Sequence, residues 1–501
     1  MAVSFNTIPS DVRVPLFYAE MDNSQASYFT QSQRILLIGQ KLASGDAATG
    51  EAMLISRTDE AKQRFGVGSM LARMHAAARR SDAVGEIWCI ALADDAAAQP
   101  AAGNIAIAGP ATAAGTLSLY IAGQLVRVGV SLADTAAEVA TAMVAAINAV
   151  TDLPITAAVN GVDTDQVDLT AKWEGETTND ITVILNYRGA AGGERTPEGL
   201  ALTITAMTGG SADPEMDDAI LAMGDEEFDF IIHPYTTTTS LDALALEMND
   251  STGRWSYSRQ IYGHSYSAKR GTLSALQAFG AARNDQHATI AGFEAGVPTP
   301  AWEYAAEYAA RNAVFIKVDP ARPTQTGAMP GVLPAPVASR FILSERETLL
   351  KNGIATSYTQ SGTVRVERAI TTFQENTFGQ PDTSYLDSET LHTSTYILRR
   401  LRGAITSKYP RHKLGNDGTN YGAGQPIVTP NIIRGALIDE YSQMENLAIV
   451  ESANLFASHL IVERDATDPN RLNVLFPADY VNQLRVFALL NQFRLQYPAA
   501  A

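Results

Sequence analysis

A serine in the segment Gly263-His264-Ser265-Tyr266-Ser267 occupies the central position of a near match to a nucleophile elbow. That motif has the form G-x-S-x-G, and here Ser267 stands where the second glycine belongs. Nearby apolar segments supply the other side chains from which a Ser-His-Asp triad could be drawn: Asp229, His233, His264 and His287. A chain of this size offers many such combinations, so we expect hydrogen-bonded structural histidines rather than a hydrolase centre.

Other potential chemistry is weaker still. Asp163, Asp165 and Asp168 resemble part of a calcium-binding loop, but the segment lacks its glycine and distal glutamate, and we expect an acidic hairpin turn. Cys89 is the single cysteine and lies in the apolar segment EIWCIAL, which predicts a buried structural thiol. The sequence has no phosphate-binding loop, dinucleotide-binding glycine motif, C-x-x-C or H-E-x-x-H pattern. We therefore expect no catalytic residue, cofactor or metal.

Charge and length narrow the remaining classes of function. The 501 residues carry a formal net charge of −17, which argues against DNA or RNA as the main ligand. Acidic and basic side chains are equal in number from residue 340 onward, so the whole excess lies before it. No apolar run reaches the ~18 residues that a membrane helix needs. The length predicts two to four domains at roughly 150 residues each.

The order of elements predicts a split α/β core. We expect RILLIGQ and EIWCIAL to be buried strands on either side of a helix over 59–80. Further strands are expected at FDFIIHPY and HATIAGF, after a β-rich stretch over 93–212 that is rich in Ala and Thr. Within that stretch, Thr135 and Glu138 predict a helix with a capping box. The proline-rich segment 319–336 is expected to lack regular structure, and 362–373 to form one long strand. Beyond it, two strands flank a DPN turn in an α+β C-terminal domain.

The two ends of the chain read as extended ribbons. Pro9 and Pro15 oppose a helix, and apolar residues between them alternate like an edge strand. An unpaired strand invites pairing with another chain. Two such arms could link one subunit to two neighbours and produce a filament. The residues expected to pair between subunits are Val12, Val14, Leu16, Leu484, Val486 and Phe493.

Several long segments resemble Mu-like bacteriophage contractile tail sheath proteins. They include SFNTIPSDVRVPLFYAEMDNS, AKRGTLSALQAFGAARN, DPARPTQTGAMPGVL, FGQPDTSYLDSETL, YPRHKL and DPNRLNVLFPADYVNQLRVFALLNQFRL, in matching order over the whole chain. The resemblance implies a subtilisin-like core domain without a working protease. The expected parts are an N-terminal arm (1–22), a discontinuous core (23–92 and 213–339), an inserted outward-facing module (93–212), an inner domain (340–476) and a C-terminal arm (477–501).

The same resemblance implies what such a subunit does. Sheath subunits form a helical polymer around the tail tube and contract to drive the tube through the host envelope during DNA ejection. The implied partners are further copies of the chain in stacked hexameric rings, the tail tube protein, and the baseplate and tail terminator proteins. No nucleic-acid contact and no membrane insertion are implied. The protein would be assembled in the bacterial cytoplasm and reside in the virion.

A basic window in the neutral C-terminal third has two interpretations. No acidic residue lies between Glu389 and Asp417, and the window could face the tail tube or be an ordinary solvated helix face. Its basic residues are Arg399, Arg400, Arg402, Lys408, Arg411 and Lys413. Two alternative functions stay open at this point. They are a host-surface-binding tail protein with 93–212 as the adhesive module, and a serine hydrolase.

Overall fold

The computed structural model describes residues 14, 15, 17, 19, 33–422 and 424–496. Its first part consists of β1 (Ile35–Gln40), β2 (Ala52–Leu54), α1 (Thr58–Phe65), α2 (Met70–Ser81) and β3 (Ile87–Leu92). The prediction of one helix over 59–80 is wrong, because Gly66 and Gly68 adopt φ angles of 89° and 82° that end the first helix. Ser69 then caps the second by accepting a hydrogen bond from the Ala72 amide.

The stretch between residues 93 and 212 forms two antiparallel sheets and a helix. Its elements are β4 (Ala102–Ala108), β5 (Gly115–Ile121), β6 (Gln124–Val130), α3 (Ala136–Ala149), β7 (Ile155–Val159), β8 (Gln166–Ala171), β9 (Val183–Leu185) and β10 (Ala201–Thr208). The strand orders are β10-β4-β8-β7 and β6-β5-β9. The predicted capping box of α3 is confirmed, since Thr135 and Glu138 each accept a hydrogen bond from the other's amide.

The next part returns to alternating strands and helices. Its elements are α4 (Asp217–Met223), β11 (Phe230–Ile232), α5 (Thr238–Met248), β12 (His264–Gly271), α6 (Leu273–Ala281), β13 (Ala288–Glu294), α7 (Ala301–Val318) and β14 (Ala328–Met329). The two-residue β14 interrupts the segment 319–336, which was expected to be entirely irregular. Among the described residues, no helix combines the length and apolar character of a membrane span.

A six-stranded sheet joins strands from both sides of the 93–212 stretch. Its order is β13-β12-β11-β1-β3-β2, and every pairing is parallel except that of β2 with β3. Ile35 on β1 lies opposite Ile87 on one neighbour and Phe230 on the other. All six residues of β1 are buried, as in parallel sheets covered on both faces. The prediction of an interrupted α/β sheet is confirmed.

The C-terminal part is α+β. Its elements are α8 (Leu343–Lys351), β15 (Thr356–Gln360), β16 (Thr363–Arg368), α9 (Ser388–Lys408), β17 (Lys413–Leu414), β18 (Ile427–Val428), α10 (Pro430–Asn446), α11 (Ala453–His459), β19 (Ile461–Arg464) and β20 (Leu472–Leu475). The strand expected over 362–373 ends at Arg368, and Ile370 instead bridges to Asp387. The hairpin expected around the DPN turn is confirmed as β19–β20.

Buried apolar residues form two main cores, and α9 contacts both. The larger core extends from β1 to Ile370 and includes the 93–212 module, where Trp173 meets Trp302 edge to face at 5.2 Å. The smaller core surrounds α10 and the β19–β20 hairpin. In α9, eight of the residues between Ser388 and Arg399 are buried, and one of them, Ile397, belongs to the smaller core. One helix therefore ties the C-terminal part to the large sheet.

The 93–212 module is also fixed to the large sheet by polar contacts. Arg270 on β12 forms an ion pair with Asp180 at 2.5 Å. Arg73 on α2 donates hydrogen bonds to the carbonyls of Ala122 and Asp152 at 3.2 and 2.6 Å. These contacts make the module part of the same packed body rather than a separately hinged unit.

Candidate functional site

The serine of the elbow-like segment is sealed inside the large core. Ser265 Oγ lies 3.0 Å from His233 Nε2, but the two residues are only 3% and 0% exposed. Ser265 is inside strand β12, whereas an elbow places its serine on a sharp turn. Burial lowers the pKa of His233 to about 4. The pair is thus a neutral structural hydrogen bond that solvent does not reach.

Asp229, the acid from which a triad could be drawn, is bonded to other residues. Asp229 accepts a hydrogen bond from the Arg34 amide at 3.0 Å and pairs with the guanidinium of Arg399. His264 is bonded to Thr289 at 2.8 Å and His287 to Asp250 at 3.1 Å. The prediction of hydrogen-bonded structural histidines is therefore confirmed.

The two other potential chemical sites also have structural roles. Asp163 and Asp165 lie in the turn between β7 and β8, while Asp168 on β8 accepts hydrogen bonds from Asn160 and Gln166. Cys89 is fully buried on β3, and burial raises the pKa of its thiol. Within the described residues, no group of His, Cys, Asp and Glu side chains is arranged to hold a metal ion.

The basic window divides into paired and exposed members. Arg399 is only 9% exposed and bridges Asp229 and Glu227, the latter at 3.1 Å. Arg400 and Lys408 both pair with Glu440, at 3.1 and 3.4 Å. Arg399 is therefore not on the surface, because acidic residues remote in sequence fold against it.

Three of the six basic side chains are exposed. Arg402 lies near the end of α9, and Arg411 and Lys413 follow it. We call Arg402, Arg411 and Lys413 the exposed basic surface. The predicted contact between the basic window and the tail tube therefore concerns only these three side chains.

The N-terminal arm residues mostly lie outside the described part of the chain. Val12 and Leu16 are not among the described residues. Val14 and Phe17 are described, and their side chains are 65% and 90% exposed.

The C-terminal ribbon is extended, apolar and exposed. Leu484, Val486 and Phe493 are 70%, 78% and 73% exposed, and no helix or strand is formed from residue 486 to residue 496. Further apolar side chains that the strand pattern did not single out are equally exposed: Phe487, Leu489, Leu490 and Leu495. So much uncovered apolar area on one segment is typical of an interaction surface.

The β19–β20 hairpin is a second incomplete element. In the described part of the chain, its sheet has only two strands. Ile461, Val474 and Leu475 are 49%, 44% and 57% exposed. A two-stranded sheet is marginally stable alone, and open edges can accept further strands.

A buried charge cluster holds residues 479–485, which we call the root of the C-terminal ribbon. Arg485 lies 3.0 Å from both Asp387 and Glu389 at the start of α9. Arg368 on β16 binds the same Asp387 through two hydrogen bonds of 2.8 Å. The sequence gives no local signal for this cluster, because the carboxylates lie nearly one hundred residues before Arg485.

Comparison with known proteins identifies the family. Residues 209–372 match the model of the phage tail sheath protein central domain, and residues 380–494 match that of the phage tail sheath C-terminal domain. The Mu-like prophage FluMu tail sheath protein of Haemophilus influenzae is 41% identical over 498 residues, which cover 99% of this chain and 100% of that protein.

A solved structure supports the same fold. The crystal structure of a sheath tail protein from Desulfitobacterium hafniense aligns with a TM-score of 0.50 and 13% identity, covering 94% of this chain and 97% of that one. At that identity the likeness concerns the fold alone. The full-length relative and the two matched domain models place the chain in the family of Mu-like phage tail sheath proteins.

Proposed function

We propose that this chain polymerises helically around a tail tube and that contraction of the polymer drives the tube through the host envelope. The observation that supports this most directly is the uncovered apolar segment 486–496. Lone folded chains rarely expose such a run, whereas a subunit within a lattice can bury it against a neighbour. Its partners would be further copies of the chain, the tail tube, the baseplate and the tail terminator.

In this proposal the C-terminal arm adds to the sheet of a neighbour. The β19–β20 hairpin of the next subunit is the acceptor, because its edges are open and its outer apolar side chains are partly exposed. Strand addition provides affinity through main-chain hydrogen bonds, while apolar side chains provide specificity. The N-terminal arm, residues 1–22, would join the same sheet from another subunit.

The domain division follows from the same proposal. The core (23–92 and 213–339) is taken to be subtilisin-like, carrying the module 93–212 outward and the inner domain 340–476 toward the tube. A non-enzymatic role fits the burial of Ser265 and His233.

Negative-stain electron microscopy tests the role of the arms. The full chain should form hollow striated tubes, and variants that lack residues 1–22 or end at Arg485 should not. A variant with Leu489, Leu490 and Phe493 all changed to serine should fail equally, because it loses the apolar contacts and keeps the length. The matched control carries Leu221→Ser, Leu246→Ser and Val318→Ser, three exposed apolar residues on helices of the core.

The control should assemble like the unmodified chain. Discrete monomers from the full chain, even after addition of the tail tube protein, would contradict the proposal. Normal tubes from the triple serine variant would contradict the role of the C-terminal arm.

The exposed basic surface is proposed to face the tube. Arg402→Glu, Arg411→Glu and Lys413→Glu together should reduce cosedimentation with assembled tail tubes at least about tenfold, because surface attraction becomes repulsion. Binding by the unmodified chain should also weaken as salt is raised, since exposed charges are screened within about 10 Å at 0.1 M.

A matched control separates local charge from total charge. Arg57→Glu, Arg127→Glu and Lys351→Glu alter three exposed basic residues outside the window and change the net charge equally. The control variant should bind tubes normally. Equal losses in both triple variants would refute a specific contact by the exposed basic surface.

A further inference from the structure

The C-terminal ribbon changes character at one residue. Up to Arg485 it alternates, with Val481, Gln483 and Arg485 turned toward the body and Asn482 and Leu484 exposed. From Val486 onward, every described side chain is exposed. The alternation is that of an extended strand resting on a surface, and it stops at Arg485.

The last inward-facing residue makes the strongest contact. The Arg485 side chain is only 10% exposed and pairs with Asp387 and Glu389. The side chain of Asp387 is 17% exposed, and that of Glu389 is fully buried. Glu389 also accepts hydrogen bonds from the Thr324 amide and hydroxyl at 3.0 and 2.9 Å. Buried, charge-assisted hydrogen bonds of this kind are among the strong ones in proteins.

Weaker contacts hold the residues just before it. The Gln483 side chain donates to the carbonyl of Ala321 at 2.9 Å, and the Val481 amide donates to Ile449 at 3.3 Å. The Asp479 amide donates to the Tyr441 hydroxyl at 3.1 Å. These contacts attach the root of the ribbon to the inner domain, and they end together at Arg485.

We propose that Arg485 is the anchor from which the C-terminal arm leaves the subunit, so that the exchangeable arm begins at Val486 rather than at residue 477. This rests on the proposed function of the arm as a link between subunits. Arg485 is a positioning residue, which fixes where and in which direction the arm departs. Fully extended, the described residues 486–496 alone span about 36–40 Å, so an accepting hairpin within that distance of Arg485 is in reach.

Hydrogen–deuterium exchange of the full chain tests the anchor independently of assembly. In Arg485→Met, exchange at the amides of Asp479 and Val481 should rise at least about tenfold, because the root loses its fixed end. The control Arg400→Met breaks the ion pair with Glu440 in the same domain and should leave both amides unchanged. Arg485→Lys keeps the positive charge on a side chain that is one bond shorter, so it weakens the contact that Nη2 of Arg485 makes with both carboxylates, and it should give an intermediate rise.

Unchanged exchange at both amides in Arg485→Met would overturn the anchor. If that variant does not fold, wild-type exchange in Arg485→Lys overturns it instead. Tube formation by a variant ending at Arg485 would refute the linking role of the arm and with it the reach deduced here, whereas raised exchange in Arg485→Met would still place the fixed end of the ribbon at Arg485.

Discussion

Replacing Arg399 with methionine is expected to lower the free energy of unfolding by about 3–5 kcal/mol. The substitution would leave Asp229, which is 2% exposed, without its cation, and Glu227 would lose its partner at 3.1 Å. A buried carboxylate that loses its partner is costly because water does not replace it. The same guanidinium lies 5.9 Å from the centre of the Tyr262 ring, so the docking of α9 on the large sheet would also loosen.

Urea unfolding of the unassembled chain measures this effect. Arg402→Met is the matched control, since it removes the same side chain from an exposed position three residues along the same helix. Its cost should stay within about 0.5 kcal/mol. Similar losses in the two variants would show that the Arg399 ion pair contributes no more than a surface residue.

Lowering the pH from 7.5 to 4.5 is expected to destabilise the protein through its buried histidines. Burial lowers the pKa of His392 to about 3 and the pKa values of His75 and His233 to about 4, and it places the pKa of His264 well below its usual range. An unfolded histidine titrates near 6.5. The unfolded chain therefore binds protons below that pH while the folded chain does not. The stability is complete above about pH 6.5 and is lost as the pH falls toward 3–4.

A comparison with one variant isolates the contribution of His392. This imidazole stacks on Phe230 at 4.6 Å and is hydrogen-bonded to Tyr266 at 2.9 Å. Between pH 7.5 and 4.5 the unmodified chain should lose about 2–3 kcal/mol more than His392→Gln, which has no proton to take up there. Carboxyl groups whose pKa burial raises, such as Asp213 at about 6, act in the opposite direction but are common to both chains. If the free energy of unfolding of the two chains fell in parallel with pH, His392 would not contribute to the pH dependence.

The sequence indicated structure best where the signal is local. The Thr135–Glu138 capping box and the DPN hairpin lie within a few residues of their partners, and both predictions are confirmed. The prediction of one helix over 59–80 was wrong because it gave more weight to the many good helix formers than to the two glycines. In the structure, Gly66 ends α1.

The candidate sites depended on contacts that sequence cannot display. Arg399 and Arg402 look alike along the chain, yet a carboxylate 170 residues earlier makes one a core residue and leaves the other exposed. The exposure of the C-terminal ribbon could be anticipated from its extended, apolar pattern. Its root could not, because Arg485 meets carboxylates 96 and 98 residues before it.

The split sheet also has a consequence for how a new chain folds. Strand β1 finds one neighbour early, in β3, but its other neighbour starts 195 residues later in the pairing of Ile35 with Phe230. At roughly 5–20 residues per second, synthesis of that interval takes about 10–40 s. During that time a mainly apolar strand has an unsatisfied edge, and such long-range pairing is slow in any case. Folding of the large sheet should therefore follow synthesis of its second half, and the nascent chain would benefit from chaperone protection until β11 emerges from the ribosome.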